Sequence, residues 1–224
     1  MNQRNRFVHK NFNFIVRKKT SDSFIVKEVL GGAYRKLNIY PTDICLDIGL
    51  NIGVFSIMAS KKCKLIYGFE PDKENFEIAH KNLQINNCMN VKIFEKAIVG
   101  NNDKTRNFSI NVKRNKGAHS LISKRGRDSI LVKCININNV INEYKPTIMK
   151  IDCEGGEYEI IKSIGDYSCF REIILEFHHA HLNDILTKEK YFEIVDLLKT
   201  KFKNVNFRPE TKGAWVTNIY CFNE

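Results

Sequence analysis

Apolar and polar positions alternate in blocks along most of this chain. Residues 44–46 (Ile-Cys-Leu) are the apolar centre of a strand over 43–48, and helix-like spacing follows at 54–62. The pattern recurs as a strand at 64–69, an amphipathic helix at 73–86 with Phe76, Ala79 and Leu83 on one face, and a strand at 91–94. It resumes with a strand at 147–151, a helix at 157–164, a strand at 172–177 and a helix at 188–201 that buries Phe192, Val195 and Leu198. Two last runs, 204–207 and 215–222, read as an antiparallel pair. Strands alternating with helices predict an α/β fold. Here it is a seven-stranded, mostly parallel sheet with helices on both faces and a final antiparallel strand pair. Ligands of such sheets sit at the carboxyl ends of the strands, near the point where strand order switches.

Two stretches depart from the rhythm. Residues 1–40 read as a leader with short strand-like segments at 12–16 and 24–29, before a main domain over 41–224. Residues 100–140 carry two strands, 107–112 and 130–137, around a polar loop at 113–128. That loop holds Gly117-Ala-His-Ser120 and is either a flap over the site or a surface excursion.

Composition narrows the class. A chain of 224 residues with 43% hydrophobic content is one domain with ample material for a core. No apolar run approaches the roughly 20 residues of a membrane helix, and the first ten residues lack the apolar centre of a signal peptide. The seven cysteines, at 45, 63, 88, 134, 153, 169 and 221, form no C-x-x-C pair. That argues against a zinc site or disulfide framework and for a reducing, cytoplasmic setting. Cys45, Cys153 and Cys169 lie in or beside apolar segments and read as small core residues. The net charge of +11 comes from scattered lysines, with small clusters at Arg17-Lys-Lys19 and Lys113-Arg-Asn-Lys116, so nucleic acid is not the expected partner.

The chemistry concentrates at strand ends. Asp47-Ile-Gly-Leu-Asn-Ile-Gly53 joins the first strand of the alternation to its helix. Its two glycines allow close backbone approach to a ligand. The next strand ends in Glu70-Pro71, where a carboxylate can accept two hydrogen bonds from a ribose diol. Dinucleotide sites use a G-x-G-x-x-G turn aimed at a pyrophosphate. Here the spacing is G-x-x-x-G, preceded by Asp47, which suits a cationic, phosphate-free ligand. S-adenosylmethionine, with its ammonium, sulfonium and ribose, fits that description.

A second signature, Lys150-Ile-Asp152-Cys-Glu154-Gly-Gly-Glu157, closes one strand and opens a helix. Gly155-Gly156 permit a sharp turn that leaves Asp152 and Glu154 at the strand mouth, where the transferred methyl would lie. Glu157 and Glu159 suit the helix dipole. The following strand ends in Leu175-Glu176-Phe-His178-His179-Ala-His181, with Glu176 and His178 on one face. A histidine beside acids can serve as general base for a hydroxyl, or can simply cap its strand. A hard divalent ion held by Asp152, Glu176 and His178 is the weaker alternative, and no metal is expected to be required.

These residues carry a family likeness. The chain resembles the FkbM-type methyltransferases in Asp47–Gly53, Tyr67-Gly-Phe-Glu-Pro71, Asn75-Phe76 with Lys81-Asn-Leu83, Lys96-Ala-Ile-Val-Gly100, the 149–157 signature and Leu175-Glu-Phe-His178. The resemblance runs from about residue 22 to residue 178, and the Lys-Ile-Asp-x-Glu-Gly-x-Glu element is its most specific part. Leu50 stands where the family usually has Ala, and Asn138 where an Asp is common. The resemblance implies a class I, Rossmann-like fold and O-methylation of a sugar, glycan or small hydroxylated metabolite. By position, Asp47, Gly49, Asn51 and Gly53 would surround the methionine part of S-adenosylmethionine, and Glu70 and Pro71 the ribose. Glu95, Lys96 and Ala97 would border the adenine, and Ser120 would approach from the flap. Asp152, Glu154, Glu176 and His178 would line the acceptor pocket, with His178 or Asp152 as base. Three other readings stand beside this one. An RNA methyltransferase shares the Asn82-Leu-Gln-Ile-Asn86 element, but usually has a proline motif where this chain has Asp152-Cys-Glu-Gly-Gly. The others are a non-catalytic binding module and a nicotinamide dehydrogenase, the last disfavoured by the glycine spacing.

Overall fold

In the computed structural model, which describes residues 4–110, 128–179, 188–208 and 216–223, the blocks fold as a succession of βα units. An N-terminal hairpin, β1 (Arg4–His9) and β2 (Phe12–Arg17), leads into α1 (Asp22–Gly31). Then come β3 (Ile44–Ile48), α2 (Val54–Ala59), β4 (Leu65–Phe69), α3 (Lys73–Ile85) and β5 (Val91–Phe94). A small sheet of β6 (Ala97–Val99), β7 (Thr105–Ile110) and β8 (Asp128–Asn136) interrupts the series and leads into α4 (Ile137–Tyr144). β9 (Ile148–Ile151), α5 (Glu157–Ser163), β10 (Glu172–His178), α6 (Lys188–Lys199), β11 (Asn204–Phe207) and β12 (Val216–Phe222) complete it.

The main sheet has seven strands in the order β11-β12-β10-β9-β3-β4-β5. All pairs from β10 to β5 are parallel, and β12 runs antiparallel to both neighbours. Chain order reverses between β3 and β9, so their carboxyl ends open a crevice there. Because side chains alternate along a strand, the sheet builds two cores. Leu46, Ile48, Met149, Ile151 and Leu175 pack towards α4, α5 and α6. Cys45, Ile66, Ile148 and Ile174 pack towards α1, α2, α3 and the hairpin. Cys153 and Cys169 pack against the first core. No helix among the described residues is long and apolar enough to cross a membrane.

Residues 24–29 are a correction to the strand-like reading, because they form the middle of α1. Val26, Val29 and Leu30 are its buried positions, a helical spacing, while Phe24 is 64% exposed. β-branched Ile25, Val26 and Val29 supply the strand-like composition. Tertiary burial of one face overrides it. β1, β6 and α4 are further elements. α4 starts at Asn136, whose side chain caps the Asn138 N–H.

The N-terminal segment is tied to α3 by side-chain bonds. Asn82 accepts from the Ile15 N–H at 2.6 Å and donates to the Ile52 carbonyl at 2.9 Å, and Asn86 exchanges bonds with the Asn13 backbone. Arg17 and Asp22, with side chains fully buried, pair at 2.9 Å, and Arg17 also donates to Asn75 and pairs with Glu74. Removing one partner of such a pair strands a buried charge. Asp22→Ala is therefore expected to lower unfolding free energy by about 3–5 kcal/mol in urea titrations. A loss under about 1 kcal/mol would show that the network is dispensable.

Candidate active site

The site begins where β3 and β9 lie in register. Asp47 is paired with Lys150 across the strands, and the Lys150 ammonium sits 3.1 Å from Asp47 Oδ1. Both side chains are almost wholly buried. Ser56 Oγ donates to Asp47 Oδ2 at 2.7 Å, and Lys150 also donates to the Gly49 carbonyl at 2.8 Å. Burial pushes the Asp47 carboxyl up, although Lys150 and Ser56 oppose the shift. Burial opposes the Lys150 charge in turn, yet Asp47 and Asp152 outweigh it, so the ammonium keeps its proton. The ammonium lies 5.5 Å from the centre of the Tyr34 ring, within cation–π range.

Gly49 (φ +80°) passes so close to the end of β9 that a β-carbon would fall 1.7 Å from the Asp152 carbonyl oxygen. No side chain fits there, which makes this glycine a requirement of the crevice. Asn51, also left-handed (φ 54°), points its N–H at Glu70 Oε2 (2.8 Å). The Asp72 N–H donates to the other oxygen, Oε1, at 2.9 Å. Burial pushes the Glu70 carboxyl up to about 7, against these two donors. The Asn75 side chain is a third donor to this carboxylate, and of its roughly four lone-pair sites the remainder is open to a ribose hydroxyl.

The β9–α5 turn builds the opposite side. Glu154 is left-handed (φ 55°) ahead of Gly155. Glu157 turns back over the helix start and accepts from the Cys153 and Gly155 N–H groups at 3.0 and 2.9 Å. His178 Nδ1 lies 3.1 Å from Glu157 Oε1, and Nε2 lies 3.8 Å from Asp152 Oδ1 and 3.7 Å from Glu154 Oε1. Burial opposes a charge on His178, but Glu157, Glu154 and Asp152 outweigh it and push the imidazole up to about 10. His178 is thus an imidazolium set among carboxylates. Burial also opposes the Glu157 charge, and His178 with the two backbone donors holds that carboxyl down. Glu176 is pushed up to about 7 by burial and by Asp152. Asp152 Oδ2 accepts from the Tyr34 hydroxyl at 2.9 Å.

The turns and strand ends that carry these groups border one cleft of about 330 Å³. Of the residues singled out from sequence, Gly49, Asn51, Glu70, Pro71, Lys96, Ala97, Asp152, Glu154, Glu176 and His178 line it. Asp47 does not, being buried beneath the turn. Gly53 caps α2 and packs on Ala79, and Glu95 is exposed outside the cleft. Ser120 and the 113–127 part of the loop lie outside the described residues, as do His181 and Trp215. Glu159, assigned with Glu157 to the helix dipole, pairs with Arg106 at 2.6 Å. His179 bonds Thr217 at 2.9 Å. Asp152, Glu154 and His178 bring ligand atoms within 4.8 Å of one another, a spacing a divalent ion can also bridge.

Sequence reasoning missed the contribution of the N-terminal segment. Phe24, Glu28 and Tyr34 line the cleft, and Phe69, Ile98 and Phe108 supply its apolar part near β4 and β5. Lys150 carried a signal, as a charged residue inside the buried strand Ile-Met-Lys-Ile opposite Asp47.

A glycine turn and an acid at the ends of adjacent strands, on a sheet of this order, define a class I methyltransferase fold. The methyltransferase FkbM domain matches residues 47–209, and the chain belongs to that family. Membership supports S-adenosylmethionine-dependent methyl transfer as its activity class. A probable cobalt-precorrin-6B C(15)-methyltransferase (decarboxylating) of Methanococcus vannielii is 28% identical over 128 residues, 56% of this chain and 68% of that one. The crystal structure of methyltransferase FkbM from Methylobacillus flagellatus KT matches with a TM-score of 0.53 and 17% identity, over 84% of this chain and 46% of that protein. TYW2 of M. jannaschii, solved with AdoMet, matches with a TM-score of 0.52 and 10% identity, over 99% and 86% of the two chains. At such identities the structural likeness shows the fold.

The Glu70 carboxyl gives the cleft a pH signature. A diol donates to its ionised form, so affinity for S-adenosylhomocysteine is expected to rise as pH climbs through about 7 and then level off. Below that it falls by up to about tenfold per unit. Glu70→Gln flattens the profile. A flat wild-type profile by calorimetry between about pH 6 and 8 would contradict the ribose role.

Proposed function

We propose that this protein transfers the methyl group of S-adenosylmethionine to a hydroxyl oxygen of a sugar, glycan or small hydroxylated metabolite. The observation that carries this reading is the division of the cleft. Its side over β3, β4 and β5 offers the Gly49–Asn51 turn, Glu70 and an apolar slot. Its side over β9 and β10 offers Asp152, Glu154 and Glu176 around His178.

Gly49, Asn51, Glu70, Pro71, Lys96 and Ala97 would hold the cofactor, with Glu70 on the ribose. Asp47 would act from beneath by fixing the turn through Lys150. When bound, S-adenosylmethionine supplies a methyl group already activated on a positive sulfur. The protein's share is alignment of an acceptor oxygen and removal of its proton. Asp152 takes that proton. It faces the cleft, and the Tyr34 hydroxyl fixes one of its oxygens. His178 is bonded to Glu157 and holds its proton, so it serves as the fixed cation among the carboxylates rather than as base. Glu154 and Glu176 accept hydrogen bonds from neighbouring acceptor hydroxyls. The acidic mouth opposes a phosphodiester backbone, which favours a small acceptor over RNA. Seven free thiols support a cytoplasmic setting.

Asp152→Asn keeps the shape of the cleft and loses the proton acceptor. Methyl transfer from labelled cofactor is expected to fall by about two to four orders of magnitude, with S-adenosylhomocysteine affinity within about a factor of three of wild type. Full activity in that variant would remove Asp152 from the chemistry. Transfer to purified RNA but to no small molecule would replace the acceptor class.

A further inference from the structure

The family match starts at residue 47, yet a wall of the cleft comes from residues before it. Phe24 and Glu28 stand one helical turn apart on α1 and both line the cleft. Glu28 lies close enough to Asp152 and Glu176 for like charges to interact. Partial burial and Asp152 push the Glu28 carboxyl up, and Glu28 adds to the upward push on Glu176. Phe24 and Glu28 are thus the exposed part of the lining, and Asp152 and Glu176 are half-buried in the same cleft. Tyr34, just beyond α1, fixes Asp152.

We propose that residues 21–34 are the acceptor-recognition wall, and that they select a hydroxyl-rich ring compound bearing no negative charge. The inference rests on the methyl-transfer reading above and specifies its acceptor. Phe24 is 64% exposed at the rim, an apolar face for the C–H side of a ring. Glu28, Asp152, Glu154 and Glu176 are acceptor-only groups when ionised, so they receive hydroxyl donors. Among the described residues, the two cations on this side, Lys150 and His178, are held by Asp47 and Glu157, so the carboxylates of this side are set to repel phosphate, sulfate and carboxylate groups. A chain of net charge +11 thus presents an acidic acceptor subsite, the opposite of what its composition implies.

The test uses the full chain, methyl-labelled S-adenosylmethionine and a small-molecule extract of the source cells split by anion exchange into anionic and non-anionic pools. Wild type is expected to label the non-anionic pool. Phe24→Ala is expected to lower labelling about five- to tenfold at limiting pool concentration and to recover at high concentration, with S-adenosylhomocysteine affinity unchanged. Glu28→Lys is expected to raise the ratio of anionic to non-anionic label at least about tenfold, because it reverses one charge at the wall. Both positions face solvent, so folding is not at stake. Preferential labelling of the anionic pool by wild type would overturn the proposal. Wild-type rates and preference in both variants would also overturn it. No label in either pool, with S-adenosylhomocysteine still bound, would overturn the methyl-transfer reading itself and this inference with it.

Discussion

The buried pair of Asp47 and Lys150 is the constraint on which the cleft depends. It joins the two strands at which chain order reverses, just below the turns that line the crevice. At 3.1 Å and an effective dielectric of 20, the attraction is about 5 kcal/mol. Taking two ions out of water costs several kcal/mol each, so the pair adds little net stability. Its consequence is geometric. Lys150 pulls in the Gly49 carbonyl, and the glycine turn then presses against the Asp152 backbone where no side chain fits. One interaction thereby sets the distance between the cofactor half and the acidic half.

Charge is arranged in the same way at the second half. His178 is surrounded by Glu157, Glu154 and Asp152, and Glu157 is fixed by two backbone N–H groups of the β9–α5 turn. The cation and its carboxylates hold one another in place, leaving Asp152 directed at the cleft by Tyr34. Membership of the FkbM methyltransferase family gives the activity class. The charge layout of this cleft supports the acceptor reading.

Much of this was legible in residue order, for identifiable reasons. The 47–53 turn, Glu70 and the 150–157 signature lie at strand ends, where periodicity stops and composition turns to glycine and acid, so local sequence carries their meaning. What escaped depends on contacts between distant segments. α1 looked like a strand because Ile25, Val26 and Val29 are β-branched, and only burial against α2 and the sheet makes it a helix. Its share in the cleft was invisible for the same reason. Asp47 was read as a ligand contact, whereas its pairing with Lys150 places it under the floor. His178 and Asp152 were both read as possible bases, and residue order could not show that Glu157, Glu154 and Asp152 all gather around the imidazole and push it up to about 10.

The Asp47–Lys150 pair thus serves the geometry of the cofactor half rather than stability. Calorimetric titration of the Asp47→Leu/Lys150→Met double variant with S-adenosylhomocysteine tests it most directly. Replacing both partners by apolar residues leaves no stranded charge, so the variant is expected to fold. Its affinity is expected to be at least about tenfold weaker than wild type, a loss of about 1.4 kcal/mol or more. Wild-type affinity in the folded double variant would show that the pair does not set the cofactor half.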